Sequence, residues 1–211
     1  MVGKGATLPT DNRDTALVVL DDLVAQVNRR GVRFDLAGRE VGTPADIAGI
    51  RHEIEDILSR LNEEEYAERQ AVKWAEIAAY MELLINPHRR HVADEDDQIT
   101  IPQAEAPAYF EWVLWRAFLA IDSLANKPYD ARRFKIDQDF LPVGTAPGNG
   151  PDLIFEFEDF VVVVEVTLTE SSRQEAMEGE PVRRHVAALV TKYDKPVYGL
   201  FLAKKIEVSC Q

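Results

Sequence analysis

The sequence predicts an α/β protein in which a helical N-terminal region precedes a mixed sheet flanked by helices. Two observations support this. Apolar residues recur every three or four positions up to residue 85, as in amphipathic helices. Beyond residue 107, an almost wholly apolar helix is followed by short runs rich in valine and phenylalanine, which are typical of strands. Because residues 86–107 are polar and hold three prolines, we predict a helical region over 1–106 and an α/β core over 107–211.

The N-terminal region is predicted to contain three helices, over residues 14–30, 50–61 and 64–85. The first has apolar residues on one face and ends before Gly31. Three consecutive glutamates at 63–65 fall at the start of the third helix, where carboxylates interact favourably with the helix dipole.

The core is predicted to run in the order helix, three strands, helix, strand. The first helix is apolar on most sides and should therefore be buried. The predicted elements are a helix over 109–124, strands over 133–140, 151–157 and 160–169, a helix over 171–193 and a strand over 196–203.

Composition excludes several classes of protein. Hydrophobic residues make up 46% and charged residues 29% of the 211 residues, which is ordinary globular usage. The sequence has no membrane-length apolar run and no secretory signal pattern. Its single cysteine, Cys210, excludes a disulfide framework and a cysteine-based zinc site. We therefore expect a cytoplasmic protein with no membrane partner.

The net charge bears on any nucleic-acid role. Lys and Arg number 24 and Asp and Glu 37, which gives −13 at pH 7. Proteins that bind nucleic acid unaided usually present a basic surface, because neutralised phosphates supply most of the non-specific affinity. Binding to DNA would therefore require a locally basic surface, a cation or a partner.

The most informative pattern is a pair of acidic residues on two adjacent predicted strands. If Glu158 and Asp159 form the turn between these strands, Asp152 faces Glu165, with Cβ atoms about 5 Å apart. Two carboxylates at that distance repel by about 3 kcal/mol at an effective dielectric constant of 20. Hard cations such as Mg²⁺ take carboxylate oxygens as ligands and would turn the repulsion into binding. Alternation places Thr167 on the same face as Glu165.

Other charged residues have both structural and functional interpretations. Glu111 lies in an apolar helix, where it could suit the first turn, pair with an arginine or act in a site. Glu178 could be a surface charge. Arg183, Arg184 and His185 could form a solvated helix face or contact a phosphate. Histidines 88 and 91, beside the acidic run 94–97, only superficially resemble a metal cluster.

A helix, a strand and the pattern PD-(x12)-E-V-T on a hairpin, followed by a helix and a strand, resemble the PD-(D/E)xK nuclease core. More narrowly, FEWVLWRAF, GNGPD and VVEVTLTESSRQEAMEGEPVRRH resemble the cleavage domain of AlwI-like Type IIS restriction endonucleases and their strand-specific nicking relatives. The motifs cover about residues 107–204. Members of that family are usually longer at both ends, so the resemblance implies either a trimmed cleavage fragment or a small subunit that borrows recognition from a partner.

The resemblance assigns roles by matching position. It implies that Asp152 and Glu165 bind one or two Mg²⁺ ions, and that Glu178 and Glu111 support them. Thr167 stands where the motif usually has a lysine.

The chemistry so implied is hydrolysis of a phosphodiester in double-stranded DNA. Arg183, Arg184 and His185 would stabilise charge on the phosphate. The water could be activated by the metal, by Glu178 or by Glu111. Cleavage of both strands requires two sites, hence a homodimer or a heterodimer with a recognition subunit, whereas one site gives a nick.

Two other readings remain open at this point. A catalytically inactive core serving as a protein interaction module predicts that divalent cations do not raise thermal stability. A related metal nuclease acting on RNA or on branched DNA is also compatible with these residues.

Overall fold

The protein is a mixed α/β chain containing a three-stranded mixed sheet. A computed structural model describes residues 12–86, 92–93, 98–121, 123–168 and 182–204. Its α-helices are α1 Arg13–Arg29, α2 Pro44–Glu68, α3 Trp74–Ile85, α4 Ala106–Leu119, α5 Pro128–Ala131 and α6 over residues 182–190. Its 3₁₀ helices are Arg69–Val72 and Gln103–Glu105. Its strands are β1 Val92–Ala93, β2 Gln98–Ile99, β3 Leu153–Glu156, β4 Val161–Thr167 and β5 Val197–Ala203.

The chain divides into two compact units, Met1–Asn62 and Glu63–Gln211. This division falls inside α2, well before the boundary near residue 106 that the sequence predicts. The helix α3 belongs to the second unit, because its Ile77 and Leu84 share a hydrophobic core with α4. No described helix combines the length and the apolar character required to span a bilayer.

The first unit is built on α1 and the N-terminal part of α2. Its core includes Leu20, Val27 and Ile54, whose side chains are fully buried. The helix α2 begins at Pro44, earlier than the predicted residue 50. Thr43 and Asp46 cap its start, because each side chain accepts a hydrogen bond from the other residue's backbone N–H.

The glutamate run at 63–65 lies inside α2 and not at the start of a third helix. The break between helices comes instead at the 3₁₀ turn Arg69–Val72. Glu63 is 2% exposed, and its two carboxylate oxygens accept from Nε and Nη2 of Arg132 at 2.6 and 2.7 Å. The predicted helix-dipole role is therefore wrong, since Glu63 neutralises an arginine that is brought to it by the tertiary fold.

The core of the second unit lies between α4 and one face of the sheet. Trp112, Val113 and Trp115 of α4 are at most 2% exposed, which confirms the predicted buried helix. They belong to one cluster with Leu153 and Val164 of the sheet. The helix ends at Leu119 rather than at the predicted residue 124.

The sheet has the order β3-β4-β5. In the antiparallel pair, Leu153 faces Val164 and Glu156 faces Val161, while β4 and β5 run parallel. The helix α6 covers the other face of the sheet. A Cβ at Gly199 of β5 would lie 2.8 Å from Val182 and 2.9 Å from Val186, so glycine permits the close approach of α6.

The outer edge of β3 is closed by the segment that precedes it. The Asn126 side chain donates to the carbonyl of Ile154 and accepts from the N–H of Glu156, and the N–H of Ala125 donates to the Glu156 carbonyl. Among the described residues, Arg132 also bridges Leu153.

Two predicted elements of the core are absent or only partly described. The strand predicted over 133–140 is wrong, because this segment makes only an isolated bridge between Ile136 and Pro142. The Asp137 side chain turns the chain by accepting two backbone N–H bonds, and Phe140 takes a positive φ of 63°. Of the helix predicted over 171–193, residues 182–190 are helical and 169–181 lie outside the described residues.

Candidate active site

Asp152 and Glu165 lie side by side at one end of the hairpin, as the sequence predicts. The turn is centred on Glu158 and Asp159, because the N–H of Phe157 donates to the carbonyl of Phe160. The register of the ladder, continued by one residue, pairs Asp152 with Glu165. Their carboxyl groups interact, since the Glu165 carboxylate raises the pKa of Asp152.

Asp152 is positioned by a backbone hydrogen bond, and its pKa is shifted by burial. Its Oδ2 accepts a hydrogen bond of 2.8 Å from the backbone N–H of Val166. The pKa of Asp152 is raised to about 6. Burial is the main cause, the hydrogen bond from the Val166 N–H opposes it, and the adjacent Glu165 carboxylate adds to the increase. A proton or a cation at the pair would relieve the repulsion between these two acids.

Glu111 of α4 is a third carboxyl group, and its pKa responds to the charges of this pair. It is 4% exposed, and its Oε2 accepts a 2.7 Å hydrogen bond from the N–H of Ala146. Burial raises its pKa to about 8, with that hydrogen bond opposing and the charges of Asp152 and Glu165 adding to the increase. Since α4 begins at Ala106, the alternative that Glu111 occupies a first helical turn is wrong.

The helix α6 places His185 against the pair. Its Nδ1 hydrogen-bonds to Oε1 of Glu165, and both side chains are at least 86% buried. Arg183 and Arg184 are exposed on the same helix. The structure thus brings His185 into the acidic site and presents both arginines to solvent.

Two further predicted residues stand at the margins of the site. Thr167 is the half-buried last residue of β4 and lies on the same face as Glu165. Glu178 lies outside the described residues, as do the histidines at 88 and 91 and the acidic run 94–97.

Sequence reasoning missed the backbone donors of the site. The N–H groups of Val166 and Ala146 each bind a carboxylate, and any residue except proline could supply such a donor. The side-chain pattern therefore contained no signal for them.

The donor set fits a hard divalent cation. Asp152 and Glu165 offer carboxylate oxygens, which Mg²⁺ prefers, and their mutual repulsion would be relieved by a positive charge. Within the part of the chain that the structure describes, no three His, Cys, Asp or Glu residues are grouped to hold a metal ion. Mg²⁺ is commonly bound by one or two carboxylates together with water and substrate phosphate.

Comparison with known proteins identifies the family. The model of the AlwI restriction endonuclease family matches residues 2–211. The chain belongs to the AlwI restriction endonuclease family. The matched range includes the N-terminal unit and therefore extends well beyond residues 107–204, which carry the recognisable motifs.

Among solved structures, the chain is similar to the small subunit (R.BspD6I2) of the heterodimeric restriction endonuclease R.BspD6I. The two are 35% identical, with a TM-score of 0.43, over 48% of this chain and 52% of that subunit. The matched part thus spans about half the length of that subunit. Among the curated proteins, none matches the chain.

Proposed function

We propose that this member of the AlwI family is a Mg²⁺-dependent endonuclease that hydrolyses phosphodiester bonds in double-stranded DNA. We also propose that residues 107–211 form a core of the PD-(D/E)xK type. The observation that carries the proposal is the juxtaposition of two half-buried carboxylates, Asp152 and Glu165, on neighbouring strands. Strand pairing for stability alone does not favour two adjacent carboxylates, because their charges repel each other.

Asp152 and Glu165 would hold the ion between the ends of β3 and β4. When bound, Mg²⁺ supplies positive charge to the scissile phosphate and increases the acidity of a nearby water. The Val166 N–H holds Asp152 for this task, and the His185 imidazole orients Glu165.

Three other residues complete the proposed site. Glu111 would be the buried supporting acid of the site, with its pKa raised to about 8 mainly by burial. Arg183 and Arg184 face solvent on α6, where a phosphate can reach them. Thr167, at the end of β4, would contact the substrate, and Glu178 remains a candidate supporting acid.

The acidic chain requires help to hold DNA. With a net charge of −13, most of its surface repels phosphates, so we propose that recognition is supplied by a second protein chain. A homodimer, or a heterodimer with a recognition subunit, would provide the second site needed for double-strand cleavage. A single active site would nick one strand, as in a Type IIS-related nicking enzyme.

The direct test is a plasmid nicking assay with Mg²⁺ on the wild-type chain, Asp152→Asn and Glu165→Gln. Both variants are expected to lose cleavage by at least about 100-fold, because each removes a ligand charge. Glu158→Gln is the matched control, since it removes an exposed carboxylate from the turn of the same hairpin.

A second readout does not depend on a recognition partner. Ca²⁺ should raise the unfolding temperature of the wild-type chain and of Glu158→Gln, but not that of Asp152→Asn. If Ca²⁺ leaves the wild-type unfolding temperature unchanged, the metal site is refuted and the inactive interaction module becomes the better reading. Cleavage of RNA or branched DNA in preference to duplex DNA would overturn the proposed substrate.

A further inference from the structure

Arg133 grips the loop that delivers Asp152 to the site. Its Nη2 donates to Oδ1 of Asn149 at 2.6 Å, and its Nη1 donates to the carbonyl of Pro151 at 3.3 Å. The guanidinium thus binds the chain on both sides of Gly150, which lies two residues before Asp152. Its planar fork allows two such bonds at once, which a lysine ammonium does not reproduce.

Gly150 is the residue over which this guanidinium lies. A Cβ at Gly150 would lie 2.8 Å from Cζ of Arg133 and closer still to Nη1, so any larger residue would displace the guanidinium. The neighbouring Gly144 has nothing within 4 Å of such a Cβ. Glycine at 150 is therefore required by the arginine, whereas glycine at 144 is not required for space.

Arg133 restrains the backbone before Asp152, and the strand pairing of the hairpin restrains the backbone after it. Leu153, the next residue, is bridged by Arg132 and paired with Val164. The Asp152 carboxylate is itself bound by the Val166 N–H. The backbone that carries this carboxylate is thus held before and after it.

We infer that Arg133 and Gly150 form a clamp that positions the Asp152 carboxylate for cation binding. This inference rests on the proposed function and adds positioning residues that the acidic pattern does not reveal. Arg133 acts through Asp152 and not by contact with the ion. Loss of the clamp should weaken cation binding, because groups that orient a ligand contribute about 10- to 100-fold to metal affinity.

The test compares Arg133→Ala, Gly150→Ala and the double variant with the wild-type chain. The readouts are the Ca²⁺ concentration that gives half of the rise in unfolding temperature and the Mg²⁺ concentration that gives half-maximal nicking. Both concentrations should rise about 10- to 100-fold in each single variant. The nicking rate at saturating Mg²⁺ should fall by a smaller factor than the affinity, because a high Mg²⁺ concentration still fills the weakened site.

The double variant identifies the clamp as one unit. In Arg133→Ala the guanidinium that a Cβ at position 150 would meet is gone, so adding Gly150→Ala should cause little further loss. Gly150→Ala displaces the end of a flexible side chain and not backbone, so the chain should still fold. Lys135→Ala and Gly144→Ala are the controls, because they remove an exposed charge and an unconstrained glycine nearby; both should match the wild type.

Three outcomes separate the two proposals. If the single variants lower the cation-free unfolding temperature but keep the wild-type half-saturating concentrations, the clamp is only structural and the inference is overturned. Fully additive losses in the double variant also overturn it. A wild-type chain without any cation response refutes the proposed function itself, and the clamp then has no ligand to position.

Discussion

Glu111 has a carboxyl group whose pKa is raised by its surroundings. Burial raises its pKa from 4.5 to about 8. The folded state therefore binds a proton that the unfolded state releases. Stability from this group is fully present below about pH 4.5, declines as pH rises, and is lost above about pH 8.

We therefore expect Glu111→Gln to change the pH dependence of unfolding in cation-free buffer. Glutamine keeps an oxygen that can accept from the Ala146 N–H but cannot ionise. The unfolding temperature of the variant, relative to wild type, should rise between pH 5 and pH 8. Glu105→Gln, which removes an exposed carboxylate beside α4, is the control; if it gives the same trend, the buried Glu111 is not the cause.

At the residue scale, the acidic pair could be predicted because it depends only on strand alternation and on the centre of one turn. The contact of His185 with Glu165 and that of Ala146 with Glu111 span 20 and 35 positions. Such contacts arise from packing of α6 and of the loop before β3, which no local pattern encodes. The grip of Arg133 on residues 149–151 was missed for the same reason.

At the element scale, the register of the hairpin decides whether the site exists. Replacing Glu158 and Asp159 by Asn-Gly should keep cleavage and raise the unfolding temperature, because that pair favours a two-residue turn. Inserting one glycine between Glu158 and Asp159 should abolish cleavage, because a shift of one residue separates Asp152 from Glu165. Nicking and circular dichroism measure both effects; an active, folded insertion variant would contradict the site.

The packing of α3 on α4 is organised around a buried arginine. Arg116 is 2% exposed, and its Nη1 lies 2.7 Å from Oε1 of Glu76. Its Nε lies 2.7 Å from Oε1 of Gln70, and its Cζ lies 4.6 Å from the ring centre of Trp112. Its charge is compensated by the Glu76 carboxylate, and its Nε donates a hydrogen bond to Oε1 of Gln70. Removal of such a group leaves its polar partners without compensation.

Arg116→Ala should lower the free energy of unfolding by about 3 kcal/mol, as expected for breaking a buried pair. Lys73→Ala removes the other, surface partner of Glu76 and should cost less than about 1 kcal/mol. Urea denaturation followed by tryptophan fluorescence measures both. Equal losses of unfolding free energy in the two variants would show that the buried position of Arg116 does not increase its contribution to stability.

Elements with a strong local signal were predicted well, and elements set by distant partners were not. Alternation and apolar runs located β3, β4, β5 and α4. The break near residue 62 was wrong because Glu63 is stabilised inside α2 by Arg132, 69 positions away. The segment 133–140 resembles a strand, but the Asp137 side chain satisfies its backbone in a turn.

At the scale of the whole molecule, charge opposes the proposed substrate. A surface with a net charge of −13 repels DNA, and a cation at the acidic pair reduces this repulsion where the phosphate must approach. The α/β class and the helical N-terminal region were predictable from periodicity. The division at Asn62 was not, because it depends on which core each helix joins.

DNA binding should therefore depend on the divalent cation more than on ionic strength alone. At constant ionic strength, Ca²⁺ should lower the Kd for a labelled duplex by about tenfold or more, measured by fluorescence anisotropy. Asp152→Asn should remove most of this gain, and Glu158→Gln should retain it. Equal gains in both variants would mean that Ca²⁺ acts on the surface at large.

The side chain of Asn126 and the backbone of Ala125 close one border of the sheet. Any strand added from a neighbouring molecule must then align with β5. A sheet with a single available border can join one copy of itself but cannot propagate in both directions. Among the strands that the structure describes, β5 is the other border of this sheet, so edge-to-edge association through β5 would accordingly stop at a pair.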